Sequence, residues 1–160
     1  DKDATMNAIT RLIIAGSCAA LLSANVLADN VGMPNSMPKS YAAECASCHI
    51  PYAPGLLPSK SWHGIMNSLD KHYGTDASID QKSVAEISAW LDKYSAGSRK
   101  FAEPSPDNRI SSSAWFARKH REIGKDVWLR ASIKSRANCA ACHQQAAQGD
   151  FDEDNIRIPK

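Results

Sequence analysis

Two five-residue segments carry the residue types for covalent chemistry: Cys45-Ala46-Ser47-Cys48-His49 and Cys139-Ala140-Ala141-Cys142-His143. Cys-x-x-Cys-His is the attachment signature of c-type haem. On a helix, residues three apart share a face, so both thiols can reach the two vinyl groups of one porphyrin. The adjoining histidine then stands where it can bind the iron from one side. The two copies use every cysteine of the chain except Cys18, so the expectation is two haem c groups. Zinc is the rival metal, since two Cys-x-x-Cys pairs could supply four thiolates. The gap between them is far longer than the ~15–20 residues of a zinc ribbon, and a histidine follows each pair. Both features favour haem.

The chain has five histidines. His49 and His143 are proximal by motif, which leaves His63, His72 and His120 for two sixth positions. If the stretch is one helix, His72 lies seven residues after Ile65, on the stripe of Ile65 and Leu69, and His63 falls on the opposite face. His120 is four residues after Phe116 and three before Ile123, so it also faces inward. A histidine on an apolar stripe is by itself more often a hydrogen-bonded core residue, but two irons in need of ligands shift that balance. The expected metal ligands are His49, His72, His120 and His143, with Cys45, Cys48, Cys139 and Cys142 holding the porphyrins and His63 at the surface. Met66 is the rival ligand, although a methionine on such a stripe is more often core filler. Local pairing joins His72 to His49 and His120 to His143, each across 23 residues. Loop closure favours this over a crossed pairing only weakly, because the entropy cost grows slowly with length.

These residues need helices to position them. A short helix is expected over 41–49, carrying the first motif, followed by a loop with Pro51, Pro54, Gly55 and Pro58 that cannot be helical. Ser59 or Ser61 can cap a helix with Trp62, Ile65, Met66, Leu69 and Tyr73 on its apolar side, ending at Gly74. A third helix fits 80–96, with Val84, Ile87, Leu91 and Tyr94 on one stripe and Gly97 after it. The polar stretch 98–113, with Pro104 and Pro106, is the natural boundary between halves. A helix over 114–123 ended by Gly124, a second haem helix over 135–148 closed by Gly149, and an irregular acidic tail at 150–154 complete the chain. No alternating apolar run appears, so the class is all-α: a small helical cytochrome c with two haem-binding halves, 29–103 and 104–160. The repetition does not extend beyond the motifs, which argues against a tandem duplication.

The first residues read as a secretory leader. Arg11 precedes an apolar run over 12–22, and Val26-Leu27-Ala28 suits signal peptidase, so cleavage after Ala28 is expected and 1–28 is the signal peptide. Met6 reads as the natural start. Cys18 lies in the leader and is expected to be discarded with it; a lipoprotein anchor would need a branched apolar residue where Ala15 stands. No later stretch approaches the ~20 apolar residues of a spanning helix. Export with all four remaining cysteines engaged by thioethers suits a periplasm where haem is attached after translocation. The formal charge is +2, and the haem propionates bring it near zero, so nothing points to nucleic acid. Arg118, Lys119, Arg121 and Lys125 surround His120 and fit a solvated helix face, a docking patch for an acidic partner, or propionate pairing.

Beyond the two motifs, the chain resembles the periplasmic dihaem cytochrome c family of photosynthetic and related proteobacteria. The matching segments are Leu57-Pro58-x-x-Ser61-Trp62, His72-Tyr73-Gly74, Asp76-Ala77-Ser78, 115–120, Asn138 with the second motif, 147–151, and Ile156-Arg157-Ile158-Pro159. The resemblance implies two haems with two histidine ligands each and a role as electron carrier. By position it puts the distal ligands on His72 and His120. It also suggests two redox partners, a small oxygen-binding monohaem c-type cytochrome and a membrane b-type cytochrome.

Two histidines per iron leave no site for substrate, and no acid–base constellation is visible, so electron transfer without bond chemistry is expected. Imidazole lacks the potential-raising effect of methionine, so both haems should be low-potential. The alternatives are a small peroxidase or oxyanion reductase, or a haem sensor, with one iron open. Asp150, Asp152, Glu153 and Asp154 read as a solvated tail.

Overall fold

The computed structural model describes residues 31–97 and 101–160. The leader, its cleavage point and Cys18 lie outside the described residues. Five α-helices stand among them: α1 (Lys39–Glu44), α2 (Ser59–Met66), α3 (Gln81–Tyr94), α4 (Ala114–Lys119) and α5 (Lys125–Trp128), joined by short 3-10 turns. The β-geometry found there is two isolated bridges, His72–Thr75 and His143–Ile156. The chain is all-α.

Local chemistry sets where these helices start. The Asp80 carboxylate accepts from the backbone N–H of Lys82 and Ser83 and opens α3, and the Ser113 hydroxyl accepts from Phe116 and opens α4. Each satisfies donors that a helix start leaves orphaned. Pro38 and Pro58 precede α1 and α2, where a fixed φ costs nothing.

Four expected helices come out differently, and the one expected over 41–49 ends at Glu44, before the first motif. The helix expected to run from 59 to Gly74 ends at Met66. The Ser68 hydroxyl turns back to the Gly64 carbonyl (2.8 Å), Ser68 takes φ −138°, and the Leu69 carbonyl accepts from Ala77 instead. Such side-chain bonds compete with helix continuation. The helix expected over 114–123 stops at Lys119, and Gly124 precedes α5 rather than ending anything. The helix expected over 135–148 does not form. Lys134 has φ +63°, the Ser135 hydroxyl accepts from Ala137, and the Asn138 amide donates to the Ile133 carbonyl. Only two 3-10 turns, Cys139–Ala141 and Ala146–Gln148, remain.

The core belongs to the first half. Tyr41, Leu57, Trp62, Met66, Ile87, Trp90 and Leu91 bury together where α1, α2 and α3 meet, with the Trp62 indole donating to the Pro54 carbonyl (2.7 Å). Met66 is therefore core filler. The second half buries Phe116, Ile133 and Ala146, and Trp115, Ile123, Val127, Trp128 and Phe151 line a cavity of about 540 Å³. Val31 and Leu56 of the first half also line that cavity. The N-terminal lead reaches the second half through the Met33 N–H, which donates to the Gln148 carbonyl (3.3 Å). Gly149 (φ +78°) permits this crossing: a Cβ there would stand 2.6 Å from the Met33 nitrogen.

Candidate haem sites

The first motif follows α1 as a hydrogen-bonded turn rather than a helix. Cys45 packs against the core and Cys48 is exposed. Burial pushes the Cys45 thiol up to about 11, with Glu44 adding to it, so it is a neutral thiol. The His49 Nδ1–H donates to the Ile50 carbonyl (2.7 Å), which orients the ring and leaves Nε2 for a metal. Facing it is His72, with ring centroids 6.3 Å apart and planes 28° apart.

His72 reaches this position from a turn. Tyr73 (φ 51°) and Gly74 (φ 97°) are both left-handed, and the Thr75 N–H returns to the His72 carbonyl (3.0 Å). That is a two-residue hairpin turn of the primed kind, which needs positive φ at both central residues. The Tyr73 ring lies 4.8 Å from His72, its hydroxyl donates to the Asp107 carbonyl (3.0 Å), and the Arg109 guanidinium covers its face at 3.9 Å. Burial, with His49 and Arg109 nearby, pulls the His72 pKa down. His63 stands apart in α2, half exposed, with its Nε2 3.3 Å from the Asp92 carboxylate.

The second motif sits on a 3-10 turn. Residues three apart eclipse in that geometry, so Cys139 and Cys142 still share one side without an α-helix. Burial pushes the Cys139 thiol up to about 11 and raises that of Cys142. His143 faces His120 with centroids 6.1 Å apart and planes 79° apart. The His120 Nδ1–H donates to the Phe116 carbonyl (2.9 Å), and its ring stacks on Phe116 at 4.0 Å with Trp128 at 5.7 Å. The His143 Nδ1 is buried without a hydrogen-bond partner, and Phe151 meets that ring edge-on. Burial pulls both pKa values down, so all three shifted imidazoles are held in the neutral form that binds metals.

Metal–nitrogen bonds of about 2 Å place the ring centroids of two opposed imidazoles roughly 6 Å apart. Both pairs meet that spacing, beside both cysteine pairs. The cavity between His120 and His143 also touches Cys139 and Cys142 and has apolar walls from Phe116, Trp128 and Ile133. Its volume falls in the ~300–1,000 Å³ class of cofactor clefts. The residues fit a haem.

The tail is more than a solvated appendage. Phe151, Asp152, Ile156 and Ile158 line the cavity, and the Arg157 N–H donates to the Cys142 carbonyl (2.9 Å). In the basic group, Lys119 meets Glu153 (3.4 Å) and Arg121 meets Glu122 (3.2 Å). Sequence reasoning missed Tyr52, whose ring stacks on His49 at 4.7 Å. It also missed Arg136, 4.9 Å above the Trp128 ring in the cavity wall. Tyr52 lies three residues beyond the first motif, the one signal that could have drawn attention to it.

The family model for dihaem cytochrome c matches residues 41–151. Among solved structures, the chain is similar to a dihaem cytochrome c from Shewanella baltica, at 36% identity over 77% of this chain and 95% of that one, with a TM-score of 0.67. It is similar also to the dihaem cytochrome c from Rhodobacter sphaeroides, at 35% identity over 72% of this chain and 98% of that one, TM-score 0.64. No curated protein matched.

Proposed function

The chain belongs to the dihaem cytochrome c family, and from that premise we propose that it is a periplasmic electron carrier whose two haem c groups are each held by two histidines. His49 with His72 serve the haem on Cys45 and Cys48; His143 with His120 serve the haem on Cys139 and Cys142. One observation carries this reading: two imidazole pairs at 6.3 and 6.1 Å, each beside its own cysteine pair.

The haems supply one-electron redox chemistry. The protein holds them covalently and orients the rings of His49 and His120 through their Nδ1–H bonds to carbonyls. Phe116, Trp128, Ile133 and Phe151 give the second pair apolar walls. Two histidines per haem would leave neither iron a place for substrate, and two imidazoles per iron would hold both potentials low. The proposed redox partners, a small monohaem c-type cytochrome and a membrane b-type cytochrome, rest on family resemblance.

A second reading, a haem enzyme or sensor with one open iron, draws support from His72. Its ring sits on a four-residue turn without a hydrogen bond of the kind that fixes His49 and His120. An optical spectrum of the reduced protein with and without carbon monoxide separates the two. Two low-spin haems that ignore carbon monoxide support the carrier, and a shifted Soret band supports the open site.

A further inference from the structure

Between the two sites lies a residue that touches both. The Tyr52 ring stacks on the His49 imidazole, with centroids 4.7 Å apart and planes 27° apart. Its hydroxyl donates to the Ala137 carbonyl at 2.7 Å, across 85 residues of chain. Ala137 lies two residues before Cys139, and the same carbonyl accepts from the Cys139 backbone N–H at 3.0 Å. The Tyr52 backbone is itself held, because the buried Tyr41 hydroxyl donates to the Tyr52 carbonyl at 2.7 Å. Tyr41 in turn packs on Trp90 in the core, ring to ring at 4.7 Å. The contacts form one line: first core, Tyr41, Tyr52, His49 on one side and the second attachment turn on the other.

We propose that Tyr52 is the positioning residue that fixes the two haem sites relative to each other and so sets electron exchange between them. The inference rests on the two-haem carrier reading above. Three features make Tyr52 the element that can do this. Its ring limits rotation of the His49 plane, because a stacked neighbour at van der Waals distance resists tilting. Its hydroxyl fixes the distance from that plane to the second motif, since a half-buried hydroxyl that loses its partner bears part of the cost of leaving water. Its backbone is tied to the rigid three-helix core, so movement of the second attachment turn is referred to the first half. Electron exchange between two fixed redox centres depends steeply on their separation, and a loosened clasp lengthens or blurs that separation.

The test uses the full-length holoprotein with both haems attached. Tyr52→Phe keeps the stacked ring and deletes only the bond to Ala137; Tyr52→Leu deletes both. For Tyr52→Phe the expected results are two covalent haems by intact mass, unchanged low-spin spectra, and an inter-haem electron-exchange rate lowered several-fold after rapid partial reduction. Tyr52→Leu should add a change in the paramagnetic resonance signal of the His49 site, with the His120–His143 signal unmoved. Tyr41→Phe loosens Tyr52 from behind without touching Ala137, and should lower the exchange rate in the same direction by less. It serves as the deciding variant if Tyr52→Phe fails to mature. Wild-type exchange rates in Tyr52→Phe or in Tyr41→Phe, whether or not the variant melts earlier, would overturn the proposal. Failure of the carrier reading looks different: the wild-type protein itself would bind carbon monoxide.

Discussion

The rings of His120 and His143 face each other at 6.1 Å with their planes 79° apart, whereas those of His49 and His72 are 28° apart. Near-parallel imidazoles both donate π density into the same iron orbital and split the two that would otherwise be close in energy. Near-perpendicular imidazoles raise one orbital each and leave them close. The ferric protein should therefore give two low-spin paramagnetic resonance signals, one rhombic and one strongly anisotropic with a larger maximal g. A single rhombic species at twice the intensity would contradict the geometry.

The four facing histidines should behave differently from the fifth. His72→Ala and His120→Ala should each open one iron, visible as a high-spin signal and carbon monoxide binding at half the haem content. His63 is half exposed and engaged with Asp92, so His63→Ala should leave both irons low-spin. A high-spin signal from His63→Ala would remove the basis of the pairing.

The cysteine pairs predict mass. Mature protein should exceed its polypeptide by about 1.2 kDa, two haems in all. Cys48→Ala or Cys142→Ala should impair attachment at its own site and leave the other intact. Intact mass spectrometry with one haem in the wild type, or zinc in place of haem, would contradict the two-haem assignment.

Phe116 is 4% exposed and stacks on His120 at 4.0 Å. Phe116→Ala should destabilise the protein by ~3–5 kcal/mol, the usual cost of deleting a buried phenyl ring. The denaturant midpoint measures it. The His120–His143 resonance signal should broaden as the supporting ring is lost, while the other signal stays sharp.

Gly149 has φ +78°, and the Met33 backbone leaves no room for a Cβ. Gly149→Ala should cost more than ~1 kcal/mol from backbone strain alone, with the clash added. The expected result is a lower melting temperature together with faster amide exchange in the lead around Met33. Unchanged exchange there would show that the lead does not depend on this crossing.

The cofactor and its number were legible in the sequence because thioether attachment is local chemistry: five contiguous residues specify it, twice. The all-α class was legible as well, since apolar spacing in 81–94 follows the helical period and Asp80 supplies the cap. His72 shows where sequence reasoning stopped. It was placed by continuing a helix through residues 67–73, but Ser68 ends that helix and a primed turn at Tyr73 and Gly74 presents the ring instead. Period alone cannot reveal a side chain that competes for the backbone. The second motif likewise lies on a 3-10 turn, because Ser135 and Asn138 take over bonds that a helix would need. Tertiary structure alone decided the angles at which the paired rings face each other, and that Tyr52 reaches Ala137 across 85 residues. Those facts depend on how the core seats two distant turns side by side, and no local pattern encodes a contact whose partners are set by packing between separate segments.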